Sequence, residues 1–319
     1  MTAPQRLLLI LLVSILTASL PAQPPRKTMA VTMDDLPLNT ASRTGTAELE
    51  RITTRLLAQL RTAGVPVTAF VNEGKLAVKG RRDAERVRQL KRCLDAGIEL
   101  GNHTFAHKSQ NDVPAEEAKE DIRKGKRTID ELYAERGGRP RWFRHPYLQT
   151  GRDSATRNAI NAYLDSLGYR IAPVTVDNSD WLFAAAYENA AAEGDSAGMR
   201  TIAGAYVPYM LECVRYYERM ADTLFGRPVA QTLLMHANRL NGDHAAELFR
   251  RLRNEGYSFV TLDEALRDPA YASPDTFFGK GGISWLHRWA WTRGHRGAFF
   301  AGEPDVPEFV KNRAGTKYD

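Results

Sequence analysis

Seven short runs rich in apolar and β-branched residues recur after Lys27, and helical patterns separate most of them. Strands and helices that alternate in this way are typical of repeated βαβ units, which build a parallel sheet. Gly64, Gly97, Gly168 and Gly256 each stand between a helical pattern and the next run, where helices commonly end. The predicted strands are 29–33, 65–71, 98–102, 141–144, 169–176, 229–235 and 257–262. This order predicts an α/β fold, a distorted and incomplete (β/α) barrel of seven strands.

Residues 182–227 interrupt the repeat with an alanine-rich, mainly helical insertion that is broken near Gly194 and Gly198. The break matches the G-x-S-x-G pattern of serine hydrolases around Ser196. That nucleophile motif requires a strand before it, and the preceding residues have a helical pattern instead. We therefore expect a turn between two helices at Ser196, without a nucleophile.

A tail follows from Pro269 to the end of the chain, and its spacing differs from that of the repeat. Trp285, Trp289 and Trp291 lie in it and could either stack on a sugar or pack against the barrel. Because Trp285 and Trp289 are one helical turn apart, the spacing favours packing. The expected organisation is a barrel domain at 27–268 with the insertion at 182–227, and a C-terminal extension at 269–319 that packs on the barrel.

The N-terminal segment resembles a secretory signal peptide at residues 1–22. Arg6 precedes an uncharged run at 7–20 that is shorter than the roughly 20 residues needed to span a bilayer. An uncleaved membrane anchor is the alternative. We expect the peptide to be removed, which leaves no stable membrane span and a secreted or periplasmic protein.

Charge and cysteine content exclude several classes of protein. The chain has 44 Lys and Arg residues against 38 Asp and Glu residues, a net charge of +6 that is small for 319 residues. Nucleic acid is therefore not an expected partner. Two cysteines, Cys93 and Cys213, exclude a disulfide scaffold and a tetrathiolate zinc site. The sequence leaves open whether these two residues pair, and it leaves the oligomeric state open.

Ionisable side chains stand directly after five of the seven predicted strands. In parallel α/β barrels the loops after the strands form the active site, because they open on one face. We therefore expect these side chains to gather at one rim. They are Asp34 and Asp35, His103 and His107, Arg144, Asp177 and Asp180, and His236.

Two of these groups predict a metal site. His103 and His107 are four residues apart, so one helical turn would place both imidazoles near a single cation. The adjacent carboxylates of Asp34 and Asp35 repel each other and a cation relieves that repulsion. Two imidazoles and one carboxylate leave positions open for water and substrate, as in catalytic zinc sites. Zinc is the expected ion, and cobalt, nickel or manganese could occupy the same ligands.

Five motifs follow one another in order and cover about Lys27 to Asp268. They are Thr32-Met33-Asp34-Asp35, His103-Thr104-x-x-His107, Arg144-His145-Pro146-Tyr147, Asp177-x-x-Asp180-Trp181 and Leu233-x-x-His236. In this set the chain resembles the polysaccharide deacetylase family, carbohydrate esterase family 4. The resemblance implies a distorted (β/α) barrel, a divalent metal and hydrolysis of N- or O-linked acetyl groups on an acetylated glycan.

The resemblance also implies a role for each motif residue. Asp35, His103 and His107 would hold the metal, and Asp34 would be the general base, paired with Arg144. The backbone N–H of Tyr147 would form part of the oxyanion hole. His236 would be the general acid, held in its charged form by Asp177, and Trp181 and Leu233 would line the pocket for the acetyl methyl group.

Two other functions remain open from the sequence. One is a metal-dependent amidase that acts on a non-carbohydrate C–N bond. The other is a catalytically silent glycan-binding module of the cell envelope. A pure binding protein needs neither a general base nor a general acid, so the presence of Asp34 and His236 argues against the silent module.

Overall fold

The computed structural model describes residues 27–315. The predicted signal peptide at residues 1–22 lies outside the described residues. A helix with the length and apolarity needed to cross a bilayer does not occur within residues 27–315.

All seven predicted strands are present, and most are shorter than predicted. An additional short hairpin, formed by residues 77–78 and 81–82, follows the second strand. In chain order the strands are β1 (Lys27–Leu36), β2 (Val67–Val71), β3 (Ala77–Val78), β4 (Arg81–Arg82), β5 (Glu99–Asn102), β6 (Trp142–Phe143), β7 (Arg170–Ile171), β8 (Gln231–His236) and β9 (Tyr257–Val260).

The seven predicted strands form one parallel sheet in the order β7-β6-β5-β2-β1-β8, and β9 pairs with the first residues of β1. After β7 the chain leaves the sheet, and Val176 contacts Leu233 of β8 through an isolated bridge. The curled parallel sheet with helices around it is the expected distorted, incomplete (β/α) barrel. Its strands all run in one direction, so their carboxyl ends meet at one rim.

Eleven helices pack around the sheet in the described part of the chain. They are α1 (Thr46–Ala63), α2 (Ala84–Asp95), α3 (Ala115–Gly125), α4 (Arg127–Ala134), α5 (Ser154–Ser166), α6 (Asp180–Ala192), α7 (Ser196–Phe225), α8 (Arg239–Asn254), α9 (Leu262–Ala265), α10 (Trp285–Thr292) and α11 (Glu308–Ala314). The insertion consists of α6 and α7. Ser196 begins α7 directly after the turn that ends α6, so the G-x-S-x-G pattern is the predicted turn between helices.

Along β1, alternate side chains point to opposite faces of the sheet, so that one face contributes to the hydrophobic core and the other to the candidate site. Met29, Val31 and Met33 are buried in the main hydrophobic core with residues of α1 and α8. Successive strand residues point to opposite faces, so Thr32 and Asp34 point away from those helices. The inner face of the sheet is therefore polar at the end of β1.

The C-terminal segment contributes to the same core. Trp289 of α10 is 1% exposed and packs edge-on against Phe225 and Tyr271. Trp291 is 40% exposed and lies beneath the guanidinium of Arg296. Packing thus accounts for Trp289, as its helical spacing indicated.

The two cysteines lie in different helices and are free. Cys93 belongs to α2 and Cys213 to α7, and both are buried. Burial raises the pKa of each thiol to about 12.

Candidate metal and catalytic site

The end of β1 carries the two adjacent aspartates. Asp34 is 3% exposed and is the register partner of His236 on β8, so these two side chains leave the same face of the sheet. The pairing of β1 with β2 then shifts between Met33 and Leu36. Asp35 adopts a left-handed backbone with φ +73° at this irregularity. A bulge of this kind redirects a side chain, and here it brings both carboxylates to the rim.

His103 and His107 lie in the loop after β5 and not on a helix. The loop closes on itself, because the Asn102 side chain accepts the Thr104 N–H at 2.8 Å and the Thr104 hydroxyl accepts the His107 N–H at 3.0 Å. Thr104 and His107 have φ values of +66° and +54°. The Nε2 atoms of the two imidazoles are 3.2 Å apart as a result.

Asp35, His103 and His107 fit a divalent cation. One ligand atom from each lies within 4.8 Å of the other two. Nδ1 of His103 is 2.8 Å from the carbonyl oxygen of Arg144, which fixes the ring and leaves Nε2 for the cation. Oδ1 of Asp35 is buried and lies 2.9 Å from the Lys75 ammonium.

The protonation states of these three residues suit metal binding. Burial lowers the pKa of His103 to about 4 and that of His107 to about 3, so both imidazoles are neutral at pH 7. Burial alone would raise the pKa of Asp35, but the Lys75 ammonium, 2.9 Å from Oδ1, and His107 together hold it well below its usual range. Metal ligands must be deprotonated, and all three are.

Asp34 has a different environment from Asp35. Its Oδ1 lies 3.7 Å from Nε of the fully buried Arg144, and its Oδ2 lies 3.7 Å from Nε2 of His103. Burial raises the pKa of Asp34, and the charge of Arg144 opposes this rise. Nη2 of Arg144 also donates to the Thr32 hydroxyl at 2.7 Å, which holds the guanidinium against β1. The predicted Asp34–Arg144 pair is therefore present.

Tyr147 follows β6 and lies beside the candidate metal ligands. Its ring is 57% exposed and meets the His107 ring edge-on, with centroids 4.4 Å apart. Its backbone is left-handed, with φ +53°. Six non-glycine residues of the described chain have such a φ, and five of them surround this site: Asp35, Thr104, His107, Tyr147 and Leu148. Backbone strain of this kind concentrates at functional sites.

His236 is held by Asp180, and the prediction that Asp177 holds it is wrong. Oδ1 of Asp180 is 2.5 Å from Nδ1 of His236, and Oδ2 accepts the His236 backbone N–H at 2.9 Å. Asp180 begins α6 and is fully buried against the end of β8. The carboxylate of Asp177 instead accepts the N–H of Asn178, and burial raises its pKa to about 7.

The Asp180 contact controls the charge of His236. Burial would lower the pKa of this imidazole, but the charge and hydrogen bond of Asp180, together with the charges of Asp35 and Asp34, outweigh burial and raise it to about 9. Asn241 supports the pair, because its Nδ2 donates to Asp180 at 3.0 Å and to the His236 carbonyl at 2.8 Å. The sequence motifs did not indicate Asn241, which is five residues beyond the end of β8, in the first turn of α8.

The prediction that Leu233 lines a pocket is also wrong. Leu233 is 0% exposed and belongs to the main core with residues of the surrounding helices. Leu234 is on the opposite face of β8, the face of His236, and packs with Leu148, Val174 and Trp285. Trp181 follows Asp180 at the start of α6 and is partly buried.

The sequence profile of the polysaccharide deacetylase family matches residues 22–172. This stretch contains both aspartates, both histidine ligands, Arg144 and Tyr147. This match, over just under half of the chain, supports the resemblance to the polysaccharide deacetylase family that the sequence motifs carry. No curated protein matches the chain by sequence.

Solved structures similar to this chain include a CE4 family pseudoenzyme and a peptidoglycan deacetylase. BA3943 from Bacillus anthracis, a CE4 family pseudoenzyme, is 19% identical with a TM-score of 0.52, over 76% of this chain and 66% of that one. A BA3943 mutant with restored enzymatic activity is 20% identical with a TM-score of 0.50, over 76% and 69%. The peptidoglycan deacetylase PdaC from Bacillus subtilis is 22% identical with a TM-score of 0.46, over 77% and 94%.

Proposed function

We propose that the protein is a metal-dependent hydrolase that removes N- or O-linked acetyl groups from a polysaccharide or oligosaccharide. The observation that carries this proposal is the placement of a buried carboxylate and a carboxylate-bound imidazole beside one ligand set. Asp34 and His236 are register partners, and Asp34 lies 3.7 Å from the ligand His103. Hydrolysis of an acetyl group needs a base and an acid at one centre, and this arrangement supplies both.

Asp35, His103 and His107 would hold the metal ion. A divalent ion bound there would lower the pKa of a water molecule towards about 7 and polarise the acetyl carbonyl. Two imidazoles and one carboxylate suit Zn²⁺, and Co²⁺, Ni²⁺ or Mn²⁺ are alternatives.

Asp34 would act as the general base and accept a proton from the attacking water. Its pKa is raised by burial, which makes its carboxylate a stronger proton acceptor than an exposed one. Arg144, at 3.7 Å, would keep it ionised and oriented. The Arg144 carbonyl also forms a hydrogen bond with His103, so Arg144 would position both the general base and a metal ligand.

His236 would act as the general acid and protonate the leaving amine or alcohol. The Asp180 carboxylate keeps its imidazole protonated at neutral pH. Water adds to the acetyl carbon, the C–N or C–O bond breaks, and acetic acid leaves with a free amine or hydroxyl on the sugar; the acid then loses its proton to solvent and becomes acetate. The proton taken by Asp34 and the proton given by His236 balance the reaction.

Tyr147 would stabilise the oxyanion through its backbone N–H, beside the ligand His107. Trp181 and Leu234 would form apolar walls near His236 for the acetyl methyl group. We also propose that the mature protein works outside the cytoplasm, in the periplasm or as a secreted enzyme, since residues 1–22 have the pattern of a signal peptide.

Acetate release with metal analysis tests this proposal. Zinc-loaded protein is incubated with chitooligosaccharides, acetylxylan and peptidoglycan fragments, and Asp34→Asn serves as the inactive control. Acetate release by wild type alone supports the deacetylase. A metal-loaded protein that releases no acetate from any glycan refutes it, and turnover of a non-carbohydrate amide would then identify an amidase, whereas glycan binding alone would identify a silent module.

A further inference from the structure

A strap at residues 273–284 crosses the loop that carries Tyr147. It connects the barrel to α10. Its last residue is anchored to the sheet side of the molecule, because the Ser284 hydroxyl donates to the Thr175 carbonyl at 2.6 Å. Trp285, the next residue, donates its N–H to the Val174 carbonyl at 2.7 Å. The strap therefore has a fixed end close to the rim of the barrel.

Side chains of the barrel hold the middle of the strap. Asn111 donates to the Gly279 carbonyl at 3.1 Å and accepts the Gly151 N–H at 3.0 Å, so one amide joins the strap to the loop after Tyr147. Gln149 of the same loop donates to the Lys280 carbonyl at 2.9 Å. These contacts join strap and loop at two successive residues.

Buried arginines hold the first half of the strap. Arg157 donates to the Asp275 carbonyl at 2.7 Å, and Nε of Arg288 donates to the Asp275 carboxylate at 2.8 Å. Nη2 of Arg288 also donates to the Thr150 hydroxyl at 2.7 Å. The strap is thus bound to the loop along most of its length.

Gly282 makes the closest approach to Tyr147. A β-carbon on Gly282 would lie 1.4 Å from the Tyr147 carbonyl oxygen and 3.2 Å from Cβ of Leu148. The carbonyl oxygen therefore occupies the space that any other residue's side chain would need. Gly281, the preceding residue, has no atom within 4 Å of such a β-carbon.

Tyr147 and Leu148 need this support because both have a left-handed φ, +53° and +56°. A non-glycine residue keeps such a conformation only where its surroundings enforce it. The N–H and the carbonyl of Tyr147 lie in neighbouring peptide planes that are joined at its Cα through φ and ψ. By fixing the carbonyl plane, the strap restricts the rotation that sets the direction of the N–H.

We propose that Gly282 is a positioning residue, and that the strap fixes the Tyr147 backbone in the orientation that presents its N–H to the reacting acetyl group. This inference rests on the proposed function, in which that N–H stabilises the oxyanion. Misplacing a single oxyanion donor reduces turnover strongly, and a displacement of about 1 Å can cost about a hundredfold.

The test compares zinc-loaded Gly282→Ala with Gly281→Ala and wild type on the glycan that wild type deacetylates. We expect kcat of Gly282→Ala to fall about tenfold to a hundredfold, with KM within about twofold and an unchanged zinc content. Gly281→Ala should match wild type. Gln149→Ala removes one hydrogen bond between the loop and the strap without introducing a steric clash, and it should lower kcat severalfold. This variant tests the inference even if Gly282→Ala does not fold.

Amide hydrogen exchange of residues 147–151 gives a second readout that needs no activity. We expect exchange there to accelerate at least about tenfold in Gly282→Ala and to stay unchanged in Gly281→Ala. If wild type deacetylates no glycan, the proposed function fails and exchange alone decides whether the strap fixes the loop. Wild-type kcat and wild-type exchange in Gly282→Ala would overturn the inference.

Discussion

The histidines on the two sides of the site have opposite pKa shifts. On the ligand side, formed by Asp35, His103 and His107, burial lowers the imidazole pKa values to about 4 and about 3. On the acid side, formed by His236 and Asp180, the Asp180 carboxylate, with the charges of Asp35 and Asp34, outweighs burial and raises the pKa to about 9. The difference comes from the partner of Nδ1, which is a backbone carbonyl for His103 and a buried carboxylate for His236. Burial alone therefore does not set the role of a histidine.

The two sides also differ in how their backbone is built. The ligand side depends on left-handed residues, namely Asp35 at the irregular end of β1 and Thr104 and His107 in the loop after β5. The acid side uses the regular end of β8 and the first residue of α6. Backbone strain is therefore concentrated on the ligand side, where ligand atoms from separate segments must converge on one point. The acid side has no such strain, because His236 needs only one hydrogen-bonded partner, Asp180.

The largest expected effect is loss of the ligand side. His107→Ala should weaken zinc binding by more than about a hundredfold and abolish turnover, because removal of a ligand costs at least as much as removal of its hydrogen-bond partner. Zinc affinity is measured by competition with a chelating dye. His295→Ala, in the tail, is the control and should bind zinc like wild type. Normal zinc affinity in His107→Ala would exclude this ligand set.

Asp34→Asn should separate catalysis from metal binding. Its kcat should fall by about 10²–10⁴-fold, since the base is lost, while its zinc content stays near that of wild type. Elemental analysis and acetate release on the same sample check both points. Asp35→Asn is the matched variant and should lose zinc as well. Equal zinc loss in both variants would mean that ligand and base are assigned in reverse.

The pH profile tests the acid side. His236 is active as the imidazolium, and its pKa is raised to about 9, so activity should persist to about pH 8 and fall as pH rises through about 9. Asp180→Asn should shift this alkaline limb towards the ordinary value of 6.5. At pH 8 the protonated fraction then falls about thirtyfold, and kcat with it.

Asp177→Asn is the control for this experiment and should leave the alkaline limb close to that of wild type. If Asp177→Asn moves the limb and Asp180→Asn does not, the sequence-based pairing is correct and the observed contact has no catalytic role. Thermal unfolding gives an independent check, because the ion pair stabilises the native state below pH 6.5 and this contribution is lost as pH rises to about 9.

The smallest effect on activity concerns two adjacent leucines. Leu234→Ala should raise KM severalfold if Leu234 contacts the substrate, because it shares a face with His236. Leu233→Ala should leave KM near the wild-type value and lower the free energy of unfolding by about 2–5 kcal/mol, since it creates a cavity in the core. Steady-state kinetics and chemical denaturation of both variants distinguish them. The reverse result would restore Leu233 to the pocket.

Repeated local signals made the fold predictable from the sequence. Gly64, Gly97, Gly168 and Gly256, predicted to follow helices, all have the left-handed φ of such positions. The seven strand patterns were correct because a parallel sheet is buried on both faces and needs continuous apolar runs. The convergence of Asp35, His103 and His107 was predictable because these residue types are rare in combination and stand after strands.

Side-chain direction was not predictable. Asp177 and Asp180 both follow the same predicted strand, so the sequence does not show which carboxylate reaches His236. The position at which α6 begins determines that it is Asp180. Leu233 and Leu234 differ only by strand alternation, and a one-residue error reverses the face. The proposed role of Gly282 depends on its contact with Tyr147, which is 135 positions away in the sequence. A local sequence pattern cannot predict a contact of this kind.

The two buried thiols can report the local unfolding of the helices that contain them. A thiol reacts as the thiolate, and with pKa values near 12 neither Cys93 nor Cys213 forms it at neutral pH in the native fold. An alkylating reagent should modify them only when α2 or α7 detaches. The kinetics of labelling, read by mass spectrometry, would report the fluctuation of each helix in the unlabelled wild-type chain.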